Sequence, residues 1–213
     1  MKDNVNLQKN IIPHWSMQQI WKSFSDSEYK NSIEKLQQLI KQISVHVKNP
    51  IKDFNQFLKI YLSMDNELGS LSESLYAYSY SIYATDTTNT DSLNNMALLE
   101  ELQVSIADYQ LVFRQILKEN QTKLSSFFHS FPEYKKYEFI LEEEINYFNH
   151  QMERKEESIA NDLQRFGGDA WSKLHEQIIS NLVDKETGKT FNQLRNDAYS
   201  PDRNIRKESY YKE

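Results

Sequence analysis

The residues best placed to do chemistry are His175 and Glu176, because His-Glu opens the zinc-binding pattern His-Glu-x-x-His. In that pattern two histidines one helical turn apart face the same metal, and the glutamate activates a metal-bound water. The residue four places after His175 is Ile179, so the second ligand is missing. His14, His46, His129, His150 and His175 contain no pair three or four apart, so no single helix presents two imidazoles. A pair assembled between helices stays open. The chain has no cysteine, which removes thiolate ligands, disulfides and a cysteine nucleophile together. Glu142, Glu143 and Glu144 are consecutive, and at 100° per residue they splay over about 200° of helix surface, which reads as a solvated face. Gly167-Gly168-Asp169 lacks the lysine of a phosphate loop, and no serine sits in a Gly-x-Ser-x-Gly turn. The expectation is a chain with no catalytic residue, metal ligand or cofactor of its own.

Tyr76, Tyr78, Tyr80 and Tyr83 are the most unusual local cluster. On a helix, Tyr76, Tyr80 and Tyr83 share one face. They read either as a helix–helix seam with hydroxyls at its edge or as an aromatic wall for a peptide or neighbouring domain.

The elements that would carry these residues are helical. Four glycines and four prolines in 213 residues leave long stretches without a breaker. Ser16 starts a short helical stretch through Met17, Ile20, Trp21 and Phe24. Ser27 can cap a helix with apolar positions at Ile33, Leu36, Ile40, Ile43 and Val47, ended by Asn49-Pro50. A long helix is predicted from near Lys52 to Ala84 and a second from the cap-rich run 86–90 to Ile116. Beyond Asn120, Pro132 opens a helix through Phe148. A further helix is closed by Gly167-Gly168, and Asp169 caps the next, with Trp171, Leu174, Ile178 and Leu182 facing inward. One small hairpin is expected near 185–192, and Ser200-Pro201-Asp202 starts a last helix. The reading is all-α: long antiparallel helices in an elongated bundle or lobe, divided into a long-helix hairpin region at 1–120 and a second helical region at 121–213.

Twenty-five basic against thirty-one acidic residues give a net charge of −6, spread along the chain. No basic face of the kind a nucleic-acid binder needs is present, and no apolar run is long enough to span a membrane. The N-terminal residues carry no secretory signal, and the reading is cytoplasmic.

Several segments, in order, resemble one family. Trp15 through Trp21 resembles its tryptophan-led start, with Ser16 and Met17 where Asp-Leu is usual. Tyr76-Ala77-Tyr78 through Asp86-Thr87-Thr88-Asn89 resembles its tyrosine-rich helix and Asp-Thr-x-Asn turn. Residues 156–163, then Gly168-Asp169-Ala170-Trp171-Ser172-Lys173-Leu174, resemble its Glu-rich helix and Gly-x-x-Ala-Trp-x-x-Leu segment. Asp202 to Tyr210, with Arg203 and Arg206, resembles its Asp-Arg-x-x-Arg-x-x-Ala-Tyr helix, Ser209 replacing alanine. The family is the N-terminal region of oligoendopeptidase F, among the thimet-oligopeptidase-like zinc peptidases.

The resemblance implies a parent that hydrolyses short peptides with one zinc, held by ligands that lie beyond position 213. It implies that Trp15, Asp86, Asn89, Gly168, Trp171, Arg203 and Arg206 are structural, and that the partners are a C-terminal catalytic domain and, through it, oligopeptides. The chain is then a non-catalytic helical lobe, inactive alone, either part of a longer polypeptide or a short product. Such a lobe is expected to expose an apolar face that the missing domain normally covers, which favours self-association. The alternative is a stand-alone helical interaction or scaffold module.

Overall fold

The computed structural model describes residues 16–212, so His14 and Trp15 lie outside the described residues. Helices dominate. Ser16 caps only a 3-10 turn, Met17–Gln19, after which the chain leaves helical form until Asp26. Helix α1, Ser27–Lys48, is capped by Asp26, whose carboxylate accepts from Glu28 N at 3.2 Å. The cap is thus one residue earlier than expected at Ser27. An ionised acid at a helix start also meets the positive end of the helix dipole.

Helix α2, Phe54–Thr85, runs about 48 Å at 1.5 Å per residue and is capped by Asp53. Helix α3, Thr90–Glu119, follows a four-residue turn. Asn89 Oδ1 accepts from Ser92 N at 2.9 Å and starts α3, while Asp86 Oδ1 accepts from Thr88 N and Oγ1 at 3.0 and 2.6 Å and fixes the turn. Short connections make α2 antiparallel to both α1 and α3, and α1 and α3 also pack on each other.

Their apolar positions, spaced three and four apart, meet in one core that includes Leu36, Ile43, Leu58, Leu75, Tyr109 and Leu117. One end is closed by an aromatic knot. Trp21 meets Tyr29 and Tyr78 edge-on at 5.4 and 5.2 Å, and Phe24 meets the same two rings at 5.3 and 5.2 Å. Edge-to-face packing is the favoured geometry for ring quadrupoles. The buried Tyr29 hydroxyl shares a 3.2 Å hydrogen bond with Ser79 Oγ.

The rest builds outward from α3. Helix α4, Leu124–Ser130, adds Phe127 and Phe128 to the core. Pro132 opens a 3-10 turn through Tyr137, and only then does α5, Glu138–His150, begin. Its Glu144 is not solvated as expected. Arg114 Nε donates to Glu144 Oε2 at 2.6 Å and ties α5 to α3, leaving Glu142 on the exposed side.

Helix α6, Arg154–Gln164, and helix α7, Ala170–Asn181, form one rod. Gly167-Gly168 does not end α6. The chain continues through a single π turn, Arg165–Asp169, and neither glycine takes a positive φ. A glycine terminates a helix by turning left-handed, and these stay right-handed. Asp169 is itself helical and caps nothing; its Oδ1 accepts from Gln164 Nε2 at 2.9 Å across the π turn, where a Cβ on Gly168 would meet that amide at 2.8 Å.

Beyond α7, Val183 and Thr190 form one antiparallel bridge, turned by Gly188 at φ 68°. Helix α8, Phe191–Asp197, starts from a Thr190–Gln193 capping box. Helix α9, Arg203–Lys212, begins later than Ser200-Pro201 suggested, with Asp202 Oδ1 accepting from Asn204 N at 2.8 Å.

Candidate functional site

The α2–α3 turn and the helix docked on it gather most of the residues singled out by sequence. Tyr76 and Tyr80, one turn apart on α2, stack with ring centres 6.1 Å apart and planes within 8°. Both are exposed, at 45% and 43%. Tyr83 follows Tyr80 at 6.2 Å but is buried, so the three tyrosines share a face without sharing an environment. The Tyr83 hydroxyl is enclosed beside the Glu176 carboxylate, with no hydrogen bond of normal geometry between them. Tyr78, on the other side of α2, joins the aromatic knot. Its neighbours, Trp21 and Tyr29, lie 57 and 49 positions earlier in the sequence, which no local spacing could reveal.

Helix α7 is held to this end by polar contacts. The Lys173 ammonium pairs with the Glu100 carboxylate of α3. Thr87 and Ser180 share a 3.0 Å hydrogen bond, and Asn181 Nδ2 donates to Thr87 Oγ1 at 3.3 Å. The electrostatics are acidic: burial, then the charge of Glu100, raises the Tyr76 phenol above its ordinary range, with Tyr80, Glu176 and Asp169 adding to it. Burial likewise raises Tyr83, followed by Glu176. A cavity of about 330 Å³ lies between α2 and α3, lined by Ser72, Glu73, Tyr76, Leu99, Glu100 and Gln103. A second, of about 210 Å³, shares Glu100 and Gln103 and continues towards Asn161, Gln164 and Asp169 of the α6–α7 rod. The result is a groove with a stacked phenol wall, carboxylates and side-chain amides.

The remaining sequence candidates do not line this groove. His175 and Glu176 are exposed on α7, and the residue one turn on is Ile179. Among the described residues no three His, Asp or Glu side chains converge as metal ligands, and His175 does not fit a zinc site. Asp86 and Asn89 cap helix ends, as described above. Arg206 Nη1 donates to the carbonyls of Ser200 and Pro201 at 2.6 and 2.9 Å, holding the start of α9, while Arg203 is exposed at that start. Trp171 is 70% exposed, and Leu174, Ile178 and Leu182 stand out with it instead of facing inward. The apolar residues of α7 do share one side, but it is the opposite, mainly polar side that meets the bundle.

Such a lobe, long antiparallel helices with shorter helices docked on one side, is an all-α architecture of a defined kind. Residues 115–183 match the model of a family's N-terminal region described as Oligopeptidase F. The fold as a whole is similar to the crystal structure of oligoendopeptidase-F from Enterococcus faecium, with a TM-score of 0.69 and 19% identity over 88% of this chain. At that identity the likeness is one of fold. The chain spans 39% of the length of that enzyme. A comparison with curated proteins returns no match.

Proposed function

We propose that this chain is the N-terminal helical lobe of an oligoendopeptidase F-type zinc peptidase, whose catalytic residues and zinc ligands lie outside it. The observation that carries this reading is the coincidence of two likenesses: the family match at 115–183 and a shared fold over 88% of the chain that accounts for 39% of the matched enzyme. In the whole protein, the region 1–120 supplies the long-helix hairpin and 121–213 the second helical region, which together pack on the catalytic domain and wall the channel that admits short peptides. The zinc supplies the activated water there; no residue of this chain is assigned to it. Tyr76 and Tyr80 contact the passing peptide or the facing domain, and buried Tyr83 supports them from below. The setting is cytoplasmic, and among the described residues no helix is long and apolar enough to cross a membrane.

A direct test is hydrolysis of a quenched fluorescent oligopeptide by the purified 213-residue chain in the presence of zinc. Turnover no faster than buffer is expected. Chelator-sensitive turnover from this chain would overturn the assignment of chemistry elsewhere.

A further inference from the structure

The groove between α2 and α3 combines a flat aromatic wall with negative charge that its own cations do not neutralise. Tyr76 lines the cavity of about 330 Å³, and Tyr80 continues the wall one turn along α2, its ring plane within 8° of the first. Both rings stand exposed, whereas aromatic rings are ordinarily spent on burial. Buried Leu99 lines the same cavity from α3. The volume lies at the lower end of the range for ligand sites, about 300–1,000 Å³, and suits one long side chain.

Carboxylates surround the phenol. Glu73 and Glu100 line the cavity with Tyr76, and Asp169 lines the cavity that continues it. Glu176 lies beside Tyr83. Glu100, Glu176 and Asp169 are all close enough to help raise the Tyr76 phenol. Two cations stand among these four acids. Lys173 is paired with Glu100, and Arg165 has its guanidinium over the Phe166 ring at 5.2 Å. Four negative charges against two positive leave a net of −2. Glu73, Asp169 and Glu176 make no ion pair among the described residues. The buried Tyr83 hydroxyl beside Glu176 does not offset this charge, since it makes no hydrogen bond of normal geometry.

An exposed ring face beside unpaired carboxylates attracts a cation, through the ring quadrupole and the charges together. A guanidinium suits the shape best. It is planar, so it stacks on a phenol. It is weakly hydrated, so it leaves water easily, and its forked donors match a carboxylate. Glu73 and Tyr76 are three apart on α2 and therefore stand on one face.

We propose that this groove binds an arginine side chain of a peptide, its guanidinium stacked on Tyr76 and forked to Glu73, its aliphatic stem along Leu99. The proposal rests on the reading of Tyr76 and Tyr80 as a peptide-contacting wall, and names the residue that the wall selects.

A nuclear magnetic resonance titration of the isotope-labelled chain with capped Ala-Arg-Ala, Ala-Lys-Ala, Ala-Ala-Ala and Ala-Glu-Ala tests it. The arginine peptide is expected to shift the resonances of Glu73, Tyr76 and Tyr80 with millimolar affinity, and to bind more weakly as salt is raised. The lysine peptide is expected to bind about threefold more weakly, and the other two not to bind. Glu73→Gln and Tyr76→Leu are each expected to weaken the arginine peptide about threefold. Both positions are exposed, so the circular dichroism spectrum stays unchanged. Glu119→Gln, about 28 Å further along α3 from Glu100 at 1.5 Å per residue, is expected to change nothing. Four results overturn the proposal: no shift at the groove with the arginine peptide, equal binding of the alanine peptide, lysine bound as tightly as arginine, or an affinity that Glu73→Gln and Tyr76→Leu move no more than Glu119→Gln does. Any of them removes the arginine site alone, because the lobe reading rests on the family match and the shared fold.

Discussion

The Tyr109 hydroxyl donates to Asp65 Oδ1 at 3.3 Å across the packed faces of α3 and α2. Burial raises the Asp65 carboxyl above its ordinary value and outweighs this hydrogen bond, with the charge of Glu144 adding to the rise. The folded chain therefore holds the Asp65 proton more tightly than the unfolded chain does. Its contribution to stability is full below about pH 4 and is lost as pH rises through the raised value. Asp65→Asn keeps an acceptor for Tyr109 without a charge. The variant is expected to be more stable than the parent at pH 7, with the gap closing towards pH 4. Urea unfolding at several pH values measures this, and a gap independent of pH would contradict it.

Trp21 closes the aromatic knot although the chain around it is not α-helical. Trp21→Ala removes a large buried ring from contact with Tyr29 and Tyr78. It is expected to cost about 3–5 kcal/mol in chemical denaturation, as truncations of this kind do. A loss under 1 kcal/mol would mean that the segment is a loose flap.

Asn89 both starts α3 and follows the turn that Asp86 stabilises. Asn89→Ala is expected to lower stability by about 1 kcal/mol, and Asn89→Asp to retain most of it, since either Asn or Asp can accept from Ser92 N. Equal losses in the two variants would show that the cap itself is not what matters.

Helix α7 is joined to the bundle through Lys173–Glu100 and the Thr87–Ser180–Asn181 cluster, and none of its residues is fully buried. It should therefore open before the three-helix core. Lys173→Ala is expected to speed amide exchange in 170–181 by several-fold and to leave that of α1 and α2 unchanged. Uniform acceleration across the chain would instead indicate one cooperative unit.

The three long helices were legible in the sequence because breakers are scarce and apolar residues recur every three or four positions between strong caps. The end near 185–192 was legible because Gly188 is placed where a positive φ is needed. Two features were not. Gly167-Gly168 reads as a stop because glycine permits a left-handed cap, yet both stay right-handed and the helix runs on through a π turn. The stripe through Trp171, Leu174, Ile178 and Leu182 fixes which side of α7 is apolar, but periodicity carries no information on which side the rest of the chain will cover. At the candidate site, the shared face of Tyr76, Tyr80 and Tyr83 was legible. The burial of Tyr83 beside Glu176 was not, because it depends on how α7 crosses the bundle. The part assigned to Trp15 lies outside the described residues.

The central claim, that this chain is the non-catalytic lobe of a longer peptidase, is tested most directly by reading the coding sequence beyond codon 213. The expected result is an open frame that continues into a further helical domain containing His-Glu-x-x-His and a downstream glutamate. A natural stop codon immediately after Glu213 would contradict it and leave the family likeness as ancestry, with a stand-alone interaction module in its place.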